Sequence, residues 1–139
     1  MSYPIAVAGA FSFIYVYLHV VGGGVEVHVP ILEGGLTHEL QGFVSVMWHG
    51  FTVTMLLCSG LFLVASFRPR YRKVLTLVAV IQYVGFAALF LLYNWLRFGS
   101  LFVMPQWIGF LIIVLVALVG LWRDASLPVP HKHQLQASA

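Results

Sequence analysis

Charge is what this 139-residue sequence has least of: four acidic and seven basic residues, 8% of the chain. Soluble domains carry about 25% charged residues, and a water-facing surface cannot be built from so few. The scarcity excludes a soluble globular domain and points to an integral membrane protein. Cysteine is almost missing too. The single Cys58 excludes an intrachain disulfide, and its place inside an apolar run reads as a small packing residue. No Lys or Arg precedes the first apolar run, so MSYPIAVAGAFSF lacks the positive flank of a cleaved signal peptide and is expected to remain as a helix. HExxH and CxxC patterns are absent, as are internal repeats and low-complexity segments.

What is present is apolar: 61% of the residues are hydrophobic. A bilayer core of about 30 Å needs roughly 20 such residues as a helix. Four runs qualify, and the spacing predicts helices over 4–22, 42–67, 74–97 and 105–122. Ser2 and Pro4 suit the start of the first, and Gly22, Gly23 and Gly24 are expected to end it. Arg68-Pro69 stops the second, and Pro105 opens the fourth. The length fits one domain, a transmembrane bundle over 1–124 with a polar cytoplasmic tail at 125–139. That tail is expected to be loose unless a partner chain holds it.

Basic residues set the orientation. The link between spans two and three, RPRYRK, holds Arg68, Arg70, Arg72 and Lys73. The positive-inside rule puts it in the cytoplasm, together with both termini. Only Arg97 among the seven basic residues then falls outside, and Glu26, Glu33 and Glu39 fall outside with it. The expected fold is an all-α, antiparallel up-down bundle with a longer outer loop between helices 1 and 2. In that loop GVEVHVP alternates apolar and polar residues, which suggests an extended piece or a cap. The second helix is expected to begin near Thr37, with Glu39 in its first turn.

Bundle-facing positions in a membrane should be small or polar. Such a stripe runs through Gly9, Ser12, Tyr15 (or Val16), His19 and Gly22 in span one. In span two it is His38, Gln41, Gly42, Ser45, His49, Thr52 and Ser59. Thr76, Tyr83, Ala87 and Asn94 mark span three, and Gln106, Gly109, Ala117 (or Val116) and Gly120 mark span four.

Four of the six histidines and three of the four acidic residues lie between His19 and His49. Ionisable residues within a membrane segment suggest a functional site. Three readings compete. His19 and His49 can be bundle histidines satisfied by Ser12, Tyr15, Ser45 or Thr52, since neutral imidazole needs one donor and one acceptor. His28, His38, Glu26 and Glu39 can contribute to a transition-metal site, because imidazole with carboxylate suits zinc, iron or copper. Alternatively, His19 and His49, one per helix, can be axial ligands of a haem b. Quinone, pigment or lipid binding through a histidine remains a further class.

Nucleophilic catalysis is poorly supported: Ser45 and His49 share a helix face, but no carboxylate orients the histidine. Gly22–Gly24 lacks the lysine and the strand–helix frame of a phosphate loop. RPRYRK reads as a topology determinant and a contact for anionic lipid, not for nucleic acid. Trp48, Trp95 and Trp107 read as an interfacial belt. Tyr93, Asn94, Trp95 and Arg97 are candidates for the mouth of a site opposite His49.

The layout, with basic links inside and a longer first loop outside, resembles small bacterial four-helix membrane proteins, some of them in the DoxX-like group. The likeness is one of layout alone and carries no function over. The leading expectation is a small non-catalytic subunit of the bacterial inner membrane, packed against a larger respiratory or photosynthetic assembly. Its partners are then the lipid bilayer and other membrane subunits. The alternatives are a metal- or haem-binding membrane protein and an oligomeric transporter or channel.

Overall fold

The computed structural model describes residues 1–126, all-helical apart from short turns and links. Four helices are long and apolar enough to cross a membrane. The first is a 31-residue rod, Tyr3–Glu33. It is built from α1 (Tyr3–Leu18), a ten-residue π-helical stretch (His19–His28) and α2 (Val29–Glu33). The others are α3 (His38–Phe67), α4 (Arg72–Phe98) and α5 (Gln106–Ala125). The expected polar tail lies outside the described residues from position 127 onward.

The rod overturns two expectations. Gly22–Gly24 do not end the first helix, and GVEVHVP is helical rather than extended. The glycines change the kind of helix instead. At the far end of the stretch the Val29 N–H bonds to the Gly24 carbonyl, five residues back, which is the π-helical pattern. Pro30, which has no N–H to give, follows within the first two positions of α2. The expected longer loop between the first two spans therefore shrinks to residues 34–37, which turn through Gly35 at φ +79°. Gln41 clamps this turn, its Nε2 donating to the Leu32 and Leu36 carbonyls at 3.0 and 3.2 Å. The Thr37 hydroxyl caps α3, accepting from the Leu40 N–H at 3.4 Å, with Glu39 in the first turn as expected.

α1 packs on α3 and α5, and α4 packs on the same two helices. Small residues let the rods approach. A Cβ on Gly9 would lie 3.3 Å from the Phe62 Cβ, and one on Gly120 would lie 2.5 Å from the Ile5 Cγ1. Between the helices stand Ile5, Met55, Phe62, Tyr83, Phe110 and Ile113, all buried. The Phe110 ring is 5.6 Å from Tyr83 and 5.7 Å from Phe86, centroid to centroid. One polar knot crosses this apolar core. The Ser12 hydroxyl joins those of Ser59, at 2.5 Å, and Tyr83, while Ser59 also donates to the Met55 carbonyl at 2.8 Å. It ties α1, α3 and α4 together, with every hydroxyl partnered inside the protein.

Polar clasps close the bundle at each end. Arg72 donates to the Ala65 and Ser66 carbonyls at 3.1 and 3.0 Å and pairs with the Asp124 carboxylate at 3.0 Å. The Ser2 N–H reaches the same Ser66 carbonyl at 2.9 Å. Toward the other end, Asn94 is fully buried and holds the link between α4 and α5. Its Nδ2 donates to the Leu101 and Met104 carbonyls, and its Oδ1 accepts from the Met104 N–H.

Candidate functional site: an imidazole–indole cluster

His19 and His28 stand at the two ends of the π-helical stretch. In an α-helix this spacing makes about two and a half turns, which would put the two side chains on opposite faces. The wider π turn brings them close to a whole number of turns, and both imidazoles reach the same side of the rod. There they meet Trp48 of α3. His19 stacks on the indole at 4.1 Å and 24°, and His28 stacks on it at 5.2 Å and 6°. Gly23, midway between them, leaves room for the indole: a Cβ there would lie 3.1 Å from the Trp48 Cη2.

Two more side chains of α3 complete the group. The Ser45 hydroxyl lies 3.2 Å from the His28 Nε2, within hydrogen-bond distance. His49 meets the His28 ring edge-on, with centroids 5.6 Å apart. Phe51 stands beside His19 at 5.0 Å. His19, His28 and Trp48 are half-buried, whereas His49 is exposed. The His19 Nε2 is buried and has no hydrogen-bond partner among the described residues.

Several placements differ from the expected ones. The expected inward seam includes His49, but His49 is exposed and Trp48 takes the inward position. His38 and His49 lie on one exposed face of α3, while Trp48, about 100° round the helix from His49, is half-buried on the side of Met55, Ser59 and Phe62. The hydroxyls expected to satisfy the histidines are mostly engaged elsewhere. Ser12 is in the central knot, Tyr15 donates to the Gln106 carbonyl at 2.7 Å, and Thr52 donates to the Trp48 carbonyl at 3.0 Å. Only Ser45 serves a histidine, and that histidine is His28. Asn94 binds the α4–α5 link rather than lining a mouth, and Tyr93, Trp95 and Arg97 are exposed.

Glu26, His38 and Glu39 are exposed and make no side-chain hydrogen bond or ion pair among the described residues. No group of three or more His, Cys, Asp or Glu side chains is placed to hold a metal ion among those residues. A haem b between His19 and His49 would need a slot for the porphyrin. The face of His19 instead carries the Trp48 indole, Phe51 stands beside it, and His49 turns toward His28, so these residues do not fit that group. In RPRYRK, Arg68, Arg70 and Lys73 are exposed, while Arg72 is turned into the bundle.

Sequence reasoning missed Trp48 as the centre of the cluster, reading it as part of the interfacial belt. The signal available was the glycine run between two histidines at a spacing that a regular α-helix cannot put on one face. Searches against protein-family models, curated proteins and solved structures find no match to this chain.

Proposed function

We propose that the protein is a non-catalytic bundle of the bacterial inner membrane that binds a transition-metal cation through His28 and His49 on its outer face. In this reading the four helices are antiparallel, and the termini and RPRYRK lie in the cytoplasm. The carrying observation is the 5.6 Å separation of the two imidazole centroids. A metal bonded to an imidazole nitrogen at about 2.0–2.1 Å keeps the ring centre roughly 3 Å away, so two ligand rings stand about 5–6 Å apart. The depth is also favourable. About 20 residues cross the hydrocarbon core; counted from Phe67, beside Arg68, they end at Trp48. The cluster then sits at the membrane border, where an aqueous ion can reach the exposed His49.

Metal analysis of the purified protein tests the reading. His28→Ala and His49→Ala should each lower occupancy, and His38→Ala should not. Unchanged occupancy in the first two variants would mean that the ligands are wrong, and a Soret band in the absorption spectrum would favour haem b instead. Orientation is tested separately by single-cysteine labelling in a Cys58→Ser background. Arg70→Cys should be protected from an impermeant reagent in intact cells, and His38→Cys should react.

A second reading, an accessory subunit of a larger respiratory or photosynthetic assembly, draws support from the outward face of α3. A Cβ at Gly42, Gly50 or Gly60 meets nothing within 4 Å, so the packing of this chain does not require those glycines. A groove of about 420 Å³ beside Gly60 is lined by apolar side chains including Val53, Leu57, Val64 and Leu75. A transmembrane helix of a partner subunit fits such a face. Co-elution of a partner at fixed stoichiometry in mild detergent, lost on Gly60→Leu, supports this reading; a lone monomer overturns it. An oligomeric channel would have to conduct between copies, because Phe62, Tyr83 and Phe110 fill the interior of the single chain.

A further inference from the structure

We infer that one anionic phospholipid seats on α3 and α4, with an acyl chain in the groove over Gly60 and its phosphate at Arg68. The inference rests on the apolar spans and stands apart from the metal-binding reading. The groove beside Gly60 is bordered by Val53 and Val64 of α3 and by Leu75 of α4. It continues along α3 into a second groove of about 370 Å³, bordered by Val64, Phe67 and Arg68. Val53, Gly60, Val64 and Phe67 recur at helical spacing, so the two grooves share one face of the helix. A Cβ at Gly60 meets nothing within 4 Å, and the missing side chain deepens the groove midway along.

Length is the first reason for a lipid. Val53 lies roughly 22 Å from Arg68 along the axis, at about 1.5 Å per residue. One leaflet with its headgroups is about 20–22 Å deep. The groove thus runs from near the mid-plane to the charged border, as a single lipid does. A partner helix, the occupant in the second reading above, would cross both leaflets.

Charge is the second reason. The apolar groove opens onto Arg68, with Arg70 and Lys73 following in the same link, and all three are exposed. The chain has four acidic residues. Asp124 pairs with Arg72, and Glu26, Glu33 and Glu39 lie toward the other end of the bundle. A lipid phosphate supplies negative charge where the chain has none to spare, and guanidinium groups match its oxygens.

The test equilibrates the purified protein in mild detergent with phosphatidylglycerol or with phosphatidylcholine of the same chain length. Native mass spectrometry counts the lipids retained per chain. One phosphatidylglycerol per chain is expected, at about 10-fold lower lipid concentration than phosphatidylcholine requires. Arg68→Gln should weaken its retention about 5-fold, the effect of one basic residue at a lipid surface. Arg123→Gln, which removes the same charge from an exposed position in the last turn of α5, should not. Gly60→Leu should abolish retention, whereas Gly42→Leu, where a Cβ also meets nothing within 4 Å, should keep it. Arg68→Gln keeps the inference testable should Gly60→Leu misfold. Equal retention of the two lipids, or unchanged retention in Gly60→Leu, overturns the inference. So does a co-purifying membrane protein that Gly60→Leu displaces while the parent protein retains no lipid, which would give the groove to a partner helix.

Discussion

The imidazole of His19 stacks on the indole of Trp48 at 4.1 Å, with the ring planes 24° apart. This contact joins the π-helical stretch to α3. It depends on Gly23, above which the indole lies. The cluster is therefore a property of two helices together, and each prediction below perturbs one junction of this kind.

Gly23→Val should displace Trp48. A Cβ at Gly23 already stands 3.1 Å from the indole, and the branched side chain adds two methyl groups toward it. The emission of Trp48 should shift to the red, measured as the difference between proteins with and without Trp48→Phe. Gly24→Val, where a Cβ meets nothing within 4 Å, should leave the spectrum unchanged.

Tyr83→Phe should destabilise the bundle only modestly. The change removes one hydroxyl from the knot, while Ser12 and Ser59 keep each other as partners at 2.5 Å. Hydrogen bonds between membrane helices contribute about 0.6 kcal/mol on average. Ser12→Leu should cost more, because it forces a large side chain into a fully buried position at the α1–α3 junction. Equilibrium unfolding in mixed micelles measures both, and equal losses would contradict this account of the knot.

Asn94→Leu should open the link between α4 and α5. It removes two bonds to carbonyls and one from the Met104 N–H. The Leu101 carbonyl keeps the Trp107 indole N–H at 2.8 Å, so the Met104 N–H and carbonyl are the groups left unpaired, at about 1–3 kcal/mol each, reduced wherever water can replace the partner. Faster proteolysis within residues 99–105, with cleavage elsewhere unchanged, is the expected result.

Arg72→Gln and Arg70→Gln should separate structure from surface charge. Arg72 binds the Ala65 and Ser66 carbonyls and pairs with Asp124, so its loss should lower unfolding stability by about 2 kcal/mol. Arg70 is exposed and its guanidinium lies over the Tyr71 ring at 5.5 Å, and its loss should change stability by less than about 0.5 kcal/mol. If the two variants unfold alike, the clasp is not a stabilising element.

Much of the helix packing was legible in the sequence. Thr76, Tyr83, Ala87 and Asn94 of the third span are all buried, as are Gly9 and Ser12 of the first and Ala117 and Gly120 of the fourth. In lipid the driving force for helix contact is close packing and polar pairing, so small and polar residues mark the inner face. The first link was not legible, because glycine runs and proline usually punctuate helices. Here they sit in a π-helical stretch, which retains internal hydrogen bonds while widening the turn.

Taken alone, the sequence determined that four helices are long and apolar enough to cross a membrane, the approximate limits of the last three, and part of the inner faces of the first, third and fourth. Each of those follows from local composition and a 3.6-residue period. Only the tertiary structure decided which histidines meet. His19 and His28 share one indole because a wider turn in one helix brings both to a side chain of another, and His49 faces out because Trp48 takes the inner position. Such relations depend on the rotation of two helices against each other, which local periodicity does not encode.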